Sequence, residues 1–150
     1  MYKLSLPQYN LSLKKIQNKL YVFDILRKKF VRLTPEEWVR QHMIHYLIHE
    51  KKYPRSLMNS EVGLEVYSLQ KRADILSYDT TGKPLVLVEC KSPDVSITQM
   101  VFEQIAHYNI AMKAPFLVVT NGIDSFVCHI DFDKKKYTFL STIPEYEKNL

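Results

Sequence analysis

Glycine is scarce in this chain: three in 150 residues, Gly63, Gly82 and Gly122. That leaves no G-x-x-x-x-G-K-[ST] loop, the backbone cradle that holds the phosphates of ATP. Only two cysteines occur, Cys90 and Cys128, too few for a disulfide framework. No apolar run approaches the length of a membrane span, and Met1-Tyr2-Lys3-Leu4-Ser5-Leu6-Pro7 lacks the apolar core of a secretory signal. The expected compartment is therefore the cytoplasm, with no membrane partner. Internal repeats, low-complexity tracts and linkers are absent too. What remains is one domain's worth of chain, 46% hydrophobic and 25% charged, enough for one real core and not for two. The formal net charge of +5 favours a polyanionic partner.

Hydrophobic periodicity lays out the elements. Residues 1–19 read as irregular, followed by a hairpin from Leu20 to Ile25 and Phe30 to Leu33. Thr34 as N-cap, Pro35 at the first helical position and Glu37 as capping-box acid open a helix to about Lys51. Along it Trp38, Val39, Met43, Ile44, Leu47 and Ile48 recur at helical spacing. Leu57 to Tyr67 reads as extended, with Glu61, Gly63 and Glu65 on one face. Arg72 to Tyr78 and Leu85 to Lys91 flank a turn at Asp79-Thr80-Thr81-Gly82. Ser96 with Gln99 suggests a second capping box for a helix to about Lys113. Phe116 to Thr120 is a strand, and Ile123 to Ile130 with Tyr137 to Leu140 a final hairpin. Helix, three strands, helix, three strands predicts an α/β fold: a central mixed sheet flanked by helices.

The most informative stretch is Glu89-Cys90-Lys91, closing the apolar run Leu85-Val86-Leu87-Val88. Alternation in a strand puts Glu89 and Lys91 on one face and Cys90 on the other. A carboxylate and an ammonium there are costly to desolvate unless paired or bound to something. Asp74 lies on the preceding strand. A turn that pairs Asp79 with Gly82 sets Asp74 opposite Leu87 and diagonal to Glu89, on the same face. One residue of slip puts the two acids on opposite faces unless a bulge corrects it. In the right register Asp74, Glu89 and the Cys90 backbone carbonyl offer hard oxygen ligands of the sparse kind that Mg²⁺ takes, with Mn²⁺ as a substitute. Lys91 beside them suits the charge and proton transfers of phosphodiester hydrolysis.

Four pieces in order carry a resemblance: Thr34-Pro35-Glu36-Glu37-Trp38-Val39-Arg40-Gln41, Lys71-Arg72-Ala73-Asp74-Ile75, Val88-Glu89-Cys90-Lys91-Ser92-Pro93 and Gln104-Ile105-Ala106-His107-Tyr108. The chain resembles the PD-(D/E)XK nuclease superfamily, and within it the N-terminal nuclease domain of type I restriction enzyme R subunits, from about Leu20 to Leu140. The resemblance implies a restriction-endonuclease-like fold and Mg²⁺-dependent cleavage of DNA. It makes Asp74 and Glu89 the metal-binding acids, Lys91 the catalytic lysine and Glu37 the acid of the first helix. Glu36, on the same turn, is an equally near candidate. Gln104 and Tyr108 match a Q-x-x-x-Y element that supports the site or contacts DNA. Ala73 stands where the superfamily name has proline, at a position that supplies no ligand. The resemblance leaves room for a partner: if the chain works with a motor or specificity subunit, that is a separate polypeptide, and a homodimer whose paired sites cut both strands fits the superfamily too.

The alternative is a nucleic-acid-binding or assembly module that keeps the nuclease fold without cutting. His42, His45 and His49 recur at spacings of three and four, but no nearby acid or cysteine completes a zinc set. Cys90 reads as a small core residue. Arg27-Lys28-Lys29, Lys51-Lys52, Arg55, Lys71-Arg72 and Lys134-Lys135-Lys136 are candidate phosphate contacts.

Overall fold

The structure, a computed structural model, describes residues 2–66 and 69–147. The end of the extended stretch at Tyr67, and the side chains of Glu65 and Lys71, lie outside the described residues. Three short strands come first: β1 (Leu13–Ile16), β2 (Lys19–Asp24) and β3 (Lys29–Arg32) form an antiparallel sheet in the order β1-β2-β3. A strand therefore occupies part of the segment 1–19 that the sequence suggests is irregular. All four β1 side chains are exposed, so no alternation of burial marks it. Its turn is built from Gln17 and Asn18, both at positive φ (50° and 63°), the conformation of a tight two-residue hairpin turn.

Helix α1 (Pro35–His49) starts as its sequence demands. Thr34 is extended, Pro35 takes the first position, and the Thr34 hydroxyl accepts the Glu37 N–H at 3.0 Å. Strands β4 (Met58–Val66), β5 (Leu69–Tyr78) and β6 (Pro84–Cys90) follow. Helix α2 (Gln99–Met112) then leads to β7 (Phe116–Thr120), β8 (Ser125–Asp131) and β9 (Lys136–Leu140). The N-cap of α2 is Thr98, accepting the Val101 N–H, and not Ser96. The helix begins two residues later than the Ser96–Gln99 pair suggests, because Thr98 is the last extended residue.

The six strands β4 to β9 form one sheet in sequence order. Every pairing is antiparallel except β6 with β7, which are joined by the α2 crossover, as a parallel pair requires. One face packs on α1, where Val39, Met43, Ile44 and Leu47 meet Ile75, Val86, Val88 and Cys90. The other packs on α2, where Phe102 and Ile105 meet Leu76, Leu87, Leu117 and Val119. This is the α/β fold, a mixed sheet with a helix on each side.

The register of the β5–β6 hairpin differs from the expected one. Asp79 N–H bonds the Lys83 carbonyl at 2.8 Å, so the turn closes one residue later than an Asp79–Gly82 pair. Between Tyr78↔Pro84 and Ser77↔Val86 the register shifts again, with Leu85 as the extra residue. Beyond this bulge the pairs are Ser77↔Val86, Leu76↔Leu87 and Ile75↔Val88, where the regular ladder ends; Asp74 then meets β6 through its carboxylate, which accepts the Cys90 N–H. The bulge moves the register of the ladder by one residue. Across β4 the ladder pairs Ser60↔Ile75 and Val62↔Ala73. Glu61, between them, has φ of 58°, a left-handed conformation that stores strain in a non-glycine residue.

Candidate active site

The site forms where β5 and β6 leave the core. Asp74 is buried, 5% exposed. Its Oδ2 accepts the Cys90 main-chain N–H at 2.7 Å, so the carboxylate caps the end of the ladder. The Lys91 N–H continues the parallel pairing to the Thr120 carbonyl at 2.8 Å. Cys90 itself turns into the α1-side core, fully buried, and burial pushes its thiol well up. That alternation leaves Glu89 and Lys91 pointing the other way.

Glu89 and Lys91 line a cavity of about 170 Å³ with Arg72, Gln104 and Tyr108. Lys91 Nζ lies 3.7 Å from Glu89 Oε1. Gln104 and Tyr108 stand one helical turn apart on α2, with Gln104 Nε2 donating to the Tyr108 hydroxyl at 3.4 Å. Burial pushes the Glu89 carboxyl up, the Asp74 charge and a hydrogen bond with Asp74 push further, and Lys91 opposes them; the outcome is about 8. Two carboxyl groups facing one another resist ionising together. The same crowding reaches Glu36, whose carboxyl is raised by burial first and then by Asp74, against the pull of Arg40 and Lys91.

Helix α1 contributes a cation that the expected residue set omits. Arg40 is 5% exposed, and its Nη2 lies 2.6 Å from Asp74 Oδ1, 2.9 Å from Glu61 Oε1 and 3.3 Å from Glu36 Oε1. Its Nη1 donates to Glu37 Oε1 at 2.7 Å. Burial works against the guanidinium charge, but Asp74, Glu37 and Glu61 outweigh it and raise its pKa.

Glu37 lies behind this arginine and not in the cavity with Glu89 and Lys91. Its Oε1 also accepts from Arg27 at 2.9 Å and its Oε2 from Gln41 at 3.0 Å. The Glu37 carboxylate thus goes to Arg27, Arg40 and Gln41 rather than back to the helix cap. Of the two first-turn acids, Glu36 is the one whose charge is felt by Asp74, Lys91 and Glu89. Glu89, Lys91, Gln104 and Tyr108 share the cavity; Asp74 lies outside its lining and meets the end of β6 through the Cys90 N–H, and Glu37 acts one residue removed, through Arg40.

Arg40 and Glu61 are the residues that sequence reasoning missed. Arg40 had a signal: a charge among Val39, Met43 and Ile44 on a helix face otherwise destined for the core. Glu61 had none, because the backbone conformation that aims it at Arg40 breaks the strand's alternation.

Among the described residues no group of three or more His, Cys, Asp or Glu side chains forms a ready metal cage. The donor set still fits a magnesium-like cation. Such ions take one or two carboxylates and fill the shell with water and phosphate oxygens, and Asp74 and Glu89 supply two carboxylates at the end of β6. The three helix histidines make other contacts. His42 Nδ1 meets the Trp38 carbonyl at 2.8 Å, and His45 and His49 stack on Tyr9. No helix among the described residues is long and apolar enough to cross a membrane.

Residues 35–144 match the family model described as the type I restriction enzyme R protein N terminus. Among solved structures, a fragment assigned to an HsdR subunit of a type I restriction enzyme from Vibrio vulnificus YJ016 is similar at 21% identity and a TM-score of 0.48, over 67% of this chain and 22% of that one. A protein assigned as a nuclease of the DUF820 group from Anabaena variabilis ATCC 29413 is similar at 14% identity and a TM-score of 0.45, over 91% of this chain and 80% of that one. The chain thus spans about a fifth of the Vibrio protein fragment. No curated protein matches it.

Proposed function

Because the chain belongs to the type I restriction enzyme R protein N-terminal family, we propose that it is a Mg²⁺-dependent DNA endonuclease of a restriction system. The observation that carries this reading is the convergence of Asp74, Glu89 and Lys91 at one sheet end, with a Glu89 carboxyl raised to about 8. Asp74, Glu89 and the Cys90 main-chain carbonyl would hold the cation, which supplies Lewis-acid polarisation of the phosphate and a more acidic water. The chain's own groups do the rest. Lys91, 3.7 Å from Glu89, orients the attacking water and, as the neutral amine, takes its proton; the ammonium so formed stabilises charge on the phosphate oxygens. The water oxygen bonds to phosphorus, the bond to the leaving sugar oxygen breaks, and that oxygen takes up a proton. Gln104, Tyr108 and Arg72 border the same cavity and position the strand. A separate motor or specificity subunit is the partner that this reading invites, and DNA is the substrate.

One observation favours a second reading, a binding module that keeps the fold without cutting. Both Asp74 oxygens are engaged, one by Arg40 and one by the Cys90 N–H, as in a structural ion pair. Calorimetric titration of Mg²⁺ and Mn²⁺ into wild type and Asp74→Ala, with duplex DNA present and plasmid nicking on the same samples, separates the two. Binding and nicking that both vanish in the variant support the nuclease. Tight DNA binding by wild type with no cation uptake and no nicking supports the module.

A further inference from the structure

The three-stranded sheet β1–β3 carries a charge that the rest of the molecule does not. Residues 10–33 hold seven cations (Lys14, Lys15, Lys19, Arg27, Lys28, Lys29 and Arg32) and one acid, Asp24, for a formal +6, whereas the whole chain carries +5. Outside this segment the chain is close to neutral. The segment also precedes residues 35–144, which the family model matches, so its chemistry is not inherited from that match.

Only Arg27 is tied up internally, bonding Asp24 and Glu37. The other six cations are exposed and make no ion pair with a described residue. Their arrangement follows from the register. Lys14↔Tyr21 and Tyr21↔Arg32 form one row across all three strands, with Ile16↔Lys19 and Phe23↔Phe30 in the rows beside it. These residues share the outer face, because the alternate positions Val22 and Asp24 are fully buried against the body of the protein. On the outer face Lys14 Nζ rests 4.6 Å above the Phe30 ring, and Phe30 meets Phe23 edge-on at 5.3 Å. The rings form a floor from which the cations project. Lys14 and Arg32 stand two strands apart, about 10 Å across the sheet, a span that long side chains bridge to nearby phosphates.

The sheet is also fixed in place. Asp24 accepts the N–H groups of Leu26 and Arg27, and Arg27 bonds Glu37, which holds Arg40 against Asp74. The β2–β3 turn is thus linked to Asp74 through three successive ion pairs, Arg27–Glu37, Glu37–Arg40 and Arg40–Asp74.

We propose that the outer face of β1–β3, through Lys14, Lys19 and Arg32 with Lys28 in the turn at its edge, binds the sugar–phosphate backbone of duplex DNA. The inference rests on the nuclease reading only for the choice of DNA as the polyanion. The interaction is electrostatic and sequence-tolerant, so each phosphate contact contributes about 0.9 to the dependence of log affinity on log salt.

The test uses the full chain and a fluorescein-labelled 30-bp duplex in EDTA, followed by anisotropy over a salt series. Lys14→Gln/Lys19→Gln/Arg32→Gln is compared with Lys134→Gln/Lys135→Gln/Lys136→Gln, which removes equal charge from the β8–β9 turn. The first variant is expected to weaken Kd roughly tenfold to a hundredfold and to lower the salt slope by about 3; the second is expected to change neither as much. Equal effects of the two triples, an unchanged slope in the first, or no DNA binding by wild type would each overturn the proposal. Circular dichroism checks the fold, and single Lys14→Gln and Arg32→Gln variants, each lowering the slope by about 1, replace the triple if it unfolds. Cleavage is scored separately with Mg²⁺. Wild type that binds through this face and never cuts would refute the nuclease reading and leave the binding face standing.

Discussion

Arg40 Nη2 and Asp74 Oδ1 lie 2.6 Å apart in the interior of the protein, joining the first helix to the strand that carries the leading acid of the site. The same guanidinium faces Glu37 and Glu61. It is the counter-charge that lets several carboxylates be buried at one point.

Removing that counter-charge leaves the acids uncompensated. Arg40→Ala is expected to lose about 3–5 kcal/mol of stability at pH 7, the range for breaking a buried pair from one side. Arg40→Lys should recover part of it, since an ammonium keeps the charge but not the fork that meets Asp74 and Glu37 together. Urea denaturation of the three proteins checks this. Equal stability of wild type and Arg40→Ala would refute the role assigned to the arginine.

Asp74 tests the opposite side of the same contact. Relief of acid crowding alone would stabilise Asp74→Ala, but the Asp74 carboxylate also satisfies the Cys90 N–H and pairs with Arg40. Asp74→Ala should therefore be destabilised by about 1–3 kcal/mol from the orphaned donor. Asp74→Asn, which retains an acceptor oxygen, should be hurt less. Both should lose Mg²⁺ uptake in calorimetry.

The two helices, the central sheet and its strand order were legible because each has a local cause, in capping residues and in period-2 and period-3.6 patterns; Asp74, Glu89 and Lys91 stood out as charges in apolar strands, and the resemblance gave them their expected roles. Two features of the site have no such cause. The Leu85 bulge, which sets the register of the β5–β6 ladder, depends on how the turn at Asp79 and Lys83 closes and on where Leu85 finds room in the core. The left-handed Glu61 depends on the charge of Arg40, which comes from an element more than twenty residues away. The strand Leu13–Ile16 was hidden for a different reason: it is exposed on every residue and leaves no burial pattern to read.

The raised Glu89 carboxyl makes stability depend on pH with a definite sign. Its folded pKa of about 8 lies above the ordinary 4.5, so between those values the unfolded chain gives up a proton that the folded protein keeps. Stability should fall as pH rises from about 4.5 to 8 and then level off. The loss attributable to Glu89 is a few kcal/mol at most, on the order of 1.4 per pKa unit before allowance for its partial exposure. Glu89→Gln should flatten the curve and be more stable than wild type at pH 8. A ligand that binds only the folded state stabilises it, so millimolar Mg²⁺ should restore wild type at pH 8 and do little for Glu89→Gln. Thermal melts across pH, with and without Mg²⁺, decide it, and an unchanged slope in Glu89→Gln would assign the pH dependence to other groups.

Lys91 separates chemistry from architecture. It is partly exposed, a third of its side chain reaching solvent, and its one described ion pair is the 3.7 Å contact with Glu89. Such a contact contributes about 0–1 kcal/mol to stability. Lys91→Ala should therefore fold normally and bind DNA within about threefold of wild type, since at most one phosphate contact is lost. Its loss of phosphate charge stabilisation should nonetheless lower plasmid nicking by about 10²–10³-fold or more. Lys91→Arg should not rescue nicking, because a guanidinium keeps the charge but cannot exchange a proton with the attacking water. Full rescue by arginine would reduce the role of Lys91 to electrostatics alone. An unfolded Lys91→Ala would instead make the Glu89 contact a structural pair and remove the residue from the chemistry.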